Sequence, residues 1–304
     1  MLKSFREVIE AAGKEDTKNL AISFPEKKDI DLLGKAAAIG LVRPCLIGDV
    51  KAIEGLIKGT SLASLEHKII DEKNSDKALN MAIGLTREGG ADMLMQGAVS
   101  HQALMDAVMD AKRGLGREKL VSCVSVFQLP KPKKLIFVTD IFINNRPNLA
   151  EKQFILEHAV RLAGILKIEA PKVAVLAAIE QVNLNIPSTL DAAILAKMSE
   201  RKQFGKTIVE GPLDIDCALS KAAAERKGVK SAVTGAVDIY LAPEIDTGHL
   251  LAEALVFFGK MKTAVVVMGM KNPVILKLPF VLEEDRIVEI AMAVLMCQKG
   301  KNDA

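Results

Sequence analysis

Aromatic residues are nearly missing from this chain: it has no Trp, its one Tyr is Tyr240, and aromatics make up 4% of its 304 residues. An interior must therefore be built from Ala, Val, Ile, Leu and Met, which suits buried parallel strands covered by helices. No apolar run approaches the length needed to span a bilayer. Neither charge sign dominates, since 41 basic and 38 acidic residues leave a formal net charge of +3. That balance argues against nucleic acid or an anionic membrane as partner, while a small anion needs only a few local donors. The four cysteines, Cys45, Cys123, Cys217 and Cys297, are too far apart for a metal knuckle or a CxxC redox pair. They read as reduced, buried, small hydrophobes.

Several chemical motifs are incomplete. Gly205-Lys206-Thr207 looks like the end of a phosphate-cradling loop, but the glycine required five residues before Gly205 is replaced by Glu200. Gly114-Leu115-Gly116 lacks a third spaced glycine and does not follow a strand. The four histidines (67, 101, 158 and 249) show no metal-ligand spacing, and there is no G-x-S-x-G elbow. The opening Met1-Leu2-Lys3-Ser4-Phe5-Arg6-Glu7 reads as the start of an amphipathic helix, without the apolar core of an export signal. A cytoplasmic location is the expectation.

What is present is alternation. Half of the residues are hydrophobic and a quarter charged. Short apolar runs at 20–23, 44–47, 93–95, 120–127, 135–138, 173–176, 207–209, 232–233, 239–241, 264–267 and 274–276 read as strands, most of them uniformly apolar. Helical periodicity fills 149–166, 189–201, 214–227, 246–260 and 283–296, with Ser188-Thr189 and Asp214 as expected caps. This order predicts an α/β protein with doubly wound, parallel-rich sheets. The polar cluster Asn144-Asn145-Arg146-Pro147-Asn148 is a plausible boundary between domains, and residues 299–304 form a short charged tail.

The ends of these strands are rich in Gly, Pro and Asp: Thr139-Asp140, Pro171-Lys172, Glu180 to Asn183, Glu210-Gly211-Pro212-Leu213, Asp246-Thr247-Gly248, and Gly269 with Pro273. In parallel α/β sheets ligands bind at the carboxyl ends of strands, where glycine admits close backbone approach and helix N-termini offer N–H groups to phosphate. In this order, with Leu41 to Asp49 and Gly90 to Gly97 in the first half, these blocks resemble the phosphate acetyl/butyryltransferase family, nearer its butyryl branch.

The resemblance implies two αβα domains of the isocitrate/isopropylmalate dehydrogenase type flanking a cleft. Residues 1–148 with 266–304 would form the first, and 149–265 the second, which would carry a homodimer interface. It implies the reaction of acyl-CoA with phosphate to give acyl-phosphate and CoA. CoA is then a substrate, no cofactor or metal is tightly bound, and acyl-CoA and phosphate are the partners. The candidate base is Asp285, which as an acid at a helix start equally suits a capping role. Substrate contacts are expected from Asp140, Glu180, Gly248, His249, Lys271 and Lys277.

The chain also departs from that pattern. Where the family carries a Ser-Arg pair, this sequence has Leu278-Pro279. An Asn position is His249, a Lys position is Glu253, and first-half donors are replaced by Gln96, His101 and Asp106. Donors and cations become neutral or acidic groups, and losing one oxyanion donor costs about a hundredfold to a thousandfold in rate. Two further readings therefore stand beside the enzyme: a CoA- or acyl-CoA-binding paralogue without turnover, and acyl transfer to an acceptor other than phosphate.

Overall fold

The computed structural model describes residues 1–131 and 133–299. In chain order the elements are α1 (Phe5–Ala12), β1 (Lys18–Ser23), α2 (Lys27–Ala38), β2 (Val42–Gly48), α3 (Val50–Ile57), β3 (Lys68–Asp71), α4 (Ser75–Arg87), β4 (Met93–Met95) and α5 (His101–Met109). There follow β5 (Arg117–Leu129), β6 (Lys134–Thr139), α6 (Leu149–Ile165), β7 (Lys172–Leu176), α7 (Pro187–Glu200), β8 (Ile208–Leu213), α8 (Ile215–Leu219), α9 (Lys221–Arg226) and β9 (Ile239–Leu241). The chain ends with α10 (Ile245–Phe257), β10 (Lys262–Met270), β11 (Val274–Ile275) and α11 (Arg286–Lys299). The rest of the charged tail, 300–304, lies outside the described residues.

Two compact units result. The amino-terminal unit takes Phe5–Lys119 and the chain from Ala264 onward; the central unit takes Leu120–Thr263 with Met1–Ser4. The divisions fall inside β5 and β10, while the polar cluster at 144–148 leads into α6 within the central unit.

The amino-terminal unit holds a five-stranded sheet in the order β11-β4-β1-β2-β3, with parallel neighbours throughout. Leu20, Ala21, Ile22, Met93 and Leu94 are wholly buried, as central parallel strands covered on both faces should be. Strand β3, Lys-Ile-Ile-Asp, escapes the sequence reading because it is a half-exposed edge strand without a continuous apolar run. Helix α11 packs on α1 and α2.

The second sheet has the order β10-β5-β6-β9-β7-β8. Strands β6, β9, β7 and β8 are parallel, but β5 and β6 run antiparallel, as two strands separated by only residues 130–133 must. Three expectations need correction here. Residues 232–233 lie in a bend rather than a strand. The helix expected over 214–227 is interrupted at Ser220, whose hydroxyl accepts from the Ala223 amide and so starts α9 afresh. Asp214 caps α8 as expected. Helix α7 instead begins at Pro187, and Thr189 Oγ turns back to the Asn183 and Ile186 carbonyls. No helix among the described residues is long and apolar enough to cross a membrane.

Candidate functional site

In the amino-terminal unit, the segment between β11 and α11 carries Lys277 and Asp285. The Lys277 amide donates to Gln96 Oε1 at 2.8 Å, and His101 Nε2 donates to the Lys277 carbonyl at 2.7 Å. Gln96 is itself fixed by a 2.8 Å bond from Nε2 to the Val99 carbonyl. Thus two first-half departures, Gln96 and His101, grip the backbone of the segment that holds the third, Leu278-Pro279. Leu278 is buried and Pro279 exposed, so the leucine has joined the core.

The Lys277 ammonium lies 2.6 Å from Asp29 Oδ2 and 2.9 Å from Glu26 Oε2. Asp29, at the start of α2, is fully buried, and its Oδ1 has no hydrogen-bond partner. Arg286 Nη1 stands 3.8 Å from that oxygen, and Arg286 Nε is 3.4 Å from Glu289 Oε2. Glu289 Oε1 accepts from the Val265 amide at 3.0 Å. Burial raises the Asp29 pKa despite Lys277 and Arg286. Burial likewise pushes Glu289 up to about 7, against the pull of Arg286. Asp285 is 2% exposed and directly precedes α11; its amide donates to the Leu282 carbonyl and its own carbonyl accepts from Val288. Lys271 sits apart from this cluster, exposed at the end of β10, with its amide bonded to the Gly116 carbonyl at 3.0 Å. Gly116 lines an open cavity of about 490 Å³ together with Asp110, Glu118 and Lys119.

In the central unit, Asp140 ends β6 and is buried. Its Oδ1 accepts from the amides of Phe142 (2.8 Å) and Ile143 (3.1 Å), and its Oδ2 from Asn144 Nδ2 and the Cys123 amide. Burial raises its pKa, and these donors oppose the rise. Four donors on one carboxylate make Asp140 the organiser of the strand-end turn. Gly248, in the first turn of α10, lies against the Asp140 carbonyl so closely that a Cβ there would overlap the oxygen. The next residue, His249, donates from Nδ1 to the Ile141 carbonyl at 3.1 Å and has Nε2 3.5 Å from Glu253 Oε1. Asp140, Gly248 and His249 therefore form one group.

Glu180 belongs to another. It lies beyond β7, where Lys227 Nζ meets Glu180 at 2.7 Å, Asp216 at 2.8 Å and Asp214 at 3.2 Å. Lys227 lowers the Glu180 and Asp216 pKa values, and the carboxylates raise that of Lys227. Ligand atoms of Glu180, Asp216 and Cys217 lie within 4.8 Å of one another. The Lys227 ammonium already neutralises two of these groups. The Cys217 thiol, pushed up to about 12 by burial and by Glu180, is not a thiolate. The arrangement fits an ammonium rather than a metal ion.

Sequence reasoning did not find Glu26, Asp29, Lys227, Arg286 or Glu289. The available signal was the pair Arg286 and Glu289 at helical spacing in an otherwise apolar helix, Arg-Ile-Val-Glu-Ile-Ala-Met-Ala-Val. Charges on an apolar stripe require partners.

Comparison with known proteins agrees with this architecture. Residues 72–294 match the family model described as phosphate acetyl/butaryl transferase. The phosphate butyryltransferase of Clostridium acetobutylicum is 35% identical over 297 residues, covering 97% of this chain and 99% of that protein. A phosphate acetyltransferase of Thermotoga maritima is 33% identical over 286 residues, covering 94% and 97%. Among solved structures, a branched-chain phosphotransacylase from Enterococcus faecalis V583 superposes with a TM-score of 0.78 at 24% identity, covering 93% of this chain and 99% of that one.

Proposed function

Because the chain belongs to the phosphate acetyl/butaryl transferase family, we propose that it transfers a short acyl group, of the butyryl type, between acyl-CoA and phosphate. The observation that carries this reading is the near end-to-end correspondence with a phosphate butyryltransferase. A phosphate oxygen attacks the thioester carbonyl, the C–S bond breaks, and CoA leaves and takes up a proton; the reverse reaction requires a base for the CoA thiol. Asp285, at the start of α11, is assigned that proton. The exposed Lys271 is the better cation for phosphate, since the Lys277 ammonium is already shared by Asp29 and Glu26. Lys277 contributes chiefly by fixing the segment that carries Asp285. In the central unit, Asp140 and Gly248 shape the strand end, and His249 and Glu180 are the polar side chains offered to substrate. CoA acts as substrate, not as a bound cofactor. A cytoplasmic homodimer follows from the family resemblance.

A second reading, an acyl-CoA-binding paralogue or transfer to an acceptor other than phosphate, is favoured by one observation. Between 276 and 289 the cations Lys277 and Arg286 are both engaged by carboxylates, and Leu278-Pro279 stands where the resemblance places Ser-Arg. The deciding experiment is phosphate-dependent release of CoA thiol from acetyl-, propionyl-, butyryl- and isobutyryl-CoA. Turnover of about 1 per second or more supports the transferase, and Asp285→Asn then lowers it sharply while CoA affinity changes little. No release from any of the four thioesters supports the second reading. Undiminished turnover by the Asn variant removes Asp285 from the mechanism.

A further inference from the structure

Asp29 is the third residue of α2, a position from which an acid ordinarily bonds the backbone ahead of the helix while staying at the surface. It makes that bond, since the Glu26 amide donates to Asp29 Oδ2 at 2.8 Å. Capping does not require burial, yet Asp29 is fully buried, which is costly unless partners offset it. Those partners come from the far end of the chain. Lys277, just beyond β11, brings its ammonium to 2.6 Å from Oδ2, and Arg286, the first residue of α11, has Nη1 3.8 Å from Oδ1.

The two cations bracket the segment that carries Leu278-Pro279 and Asp285. Arg286 also reaches back along it, with Nη2 3.5 Å from the Leu276 carbonyl. Between the brackets the backbone is neither strand nor helix. The Val281 and Asp285 amides close local turns onto the Leu278 and Leu282 carbonyls at 3.1 and 2.9 Å, which does not fix the ends of the segment relative to each other. At the surface, Lys28 and Glu283 are 3.4 Å apart and both largely exposed, a pair that contributes little. Among the described residues, Asp29 is the one side chain ion-paired to both ends.

We infer that Asp29 is a positioning residue for the proposed transfer: by holding Lys277 and Arg286 to one buried carboxylate it clamps the segment between them, and so fixes the place of Asp285 at the start of α11. Its effect on turnover rests on Asp285 carrying the proton; the clamp itself does not.

The test is hydrogen exchange in the full-length wild type, Asp29→Asn and Lys277→Met. Asn keeps the size and an acceptor oxygen but removes the charge. Asp29→Asn should speed exchange of the amides from Lys277 to Arg286 by roughly tenfold to a hundredfold, the worth of a hydrogen bond to a charged group. A residue that only caps α2 would speed the amides of α2 and leave those of 277–286 unchanged, and that result overturns the inference. Lys277→Met leaves the cap of α2 in place and keeps the test decisive if the Asn variant fails to fold. It should speed the amides from Lys277 to Val281, and wild-type rates there also overturn the clamp. Turnover supplies a separate arm. If the wild type releases CoA, Asp29→Asn should lower kcat by about a hundredfold, as displacing a reacting group by about 1 Å does, with KM for acyl-CoA unchanged. An unaltered kcat beside faster exchange refutes the positioning role. If the wild type releases no CoA, or Asp285→Asn turns over undiminished, the proposed activity or its base has failed, while the exchange rates still decide the clamp.

Discussion

Replacing Gly248 with Ala tests whether the first turn of α10 is fixed by its approach to the end of β6. In an exposed helix interior, Gly→Ala stabilises by about 1 kcal/mol, because Ala loses less backbone entropy and has the higher helix propensity. At Gly248 a Cβ would overlap the Asp140 carbonyl oxygen and stand 3.1 Å from its carbonyl carbon and 3.2 Å from Ala242 Cβ. The obstacle is backbone, and Asp140 is held by the four donors described above, so neither side moves cheaply. Overpacking of this kind costs about 1–3 kcal/mol, which outweighs the propensity gain and reverses its sign. Gly84, inside α4 with nothing within 4 Å of its Cβ position, is the internal control. Urea or thermal unfolding of both variants gives the answer. Gly84→Ala should gain about 0.5–1 kcal/mol, and Gly248→Ala should lose about 1 kcal/mol or more. At about 2–4 °C per kcal/mol for a unit of this size, the two melting points should move in opposite directions. If Gly248→Ala proves as stable as the control variant, the close approach does not constrain the Asp140 turn and the reasoning fails.

Other outcomes follow from the same contacts. Lys227→Met should destabilise the protein at pH 7, because Glu180, Asp214 and Asp216 lose the ammonium they share. Because Lys227 depresses the Glu180 and Asp216 pKa values, its stabilisation is present at neutral pH and lost as these groups protonate. The gap between variant and wild-type melting curves should accordingly narrow toward pH 4, and a gap independent of pH would contradict the assignment. Gln96→Ala leaves the Lys277 amide without its acceptor and should cost about 1–3 kcal/mol in chemical denaturation. An unchanged midpoint would mean that the segment after β11 is held by other contacts.

Much of the fold was legible because apolar runs report burial directly. β4 and β9 coincide with their runs at 93–95 and 239–241, and most other strands and helices lie within a few residues of theirs. The signal failed where burial and run length part company, at the edge strand β3 and at Ala232-Val233, too short to distinguish a strand from a bend, and helices α2 to α5 had no counterpart in the reading either. The strand-end residues Asp140 and Gly248 were visible as polar or glycine positions closing an apolar run. Their partners were not visible. Lys277 meets Asp29 across 248 residues and Gln96 across 181, and nothing local in α2 marks Asp29 as more than a helix-start acid. Such pairings depend on which strands become neighbours, a property of topology rather than of any window of sequence.

The insertion of β11 beside β4 also sets a timetable for synthesis. The amides of Leu94 and Gln96 await the carbonyls of Pro273 and Ile275, and the Gln96 side chain awaits Lys277. At translation rates of about 5–20 residues per second, the 181 residues separating Gln96 from Lys277 take roughly ten to forty seconds to emerge. Throughout that interval the amino-terminal sheet exposes β4 as an open edge, a template for mispairing with other chains. The contiguous residues 120–263 can meanwhile fold from what has already been made. A nascent chain arrested before residue 270 should therefore aggregate through β4, and one released after α11 should not.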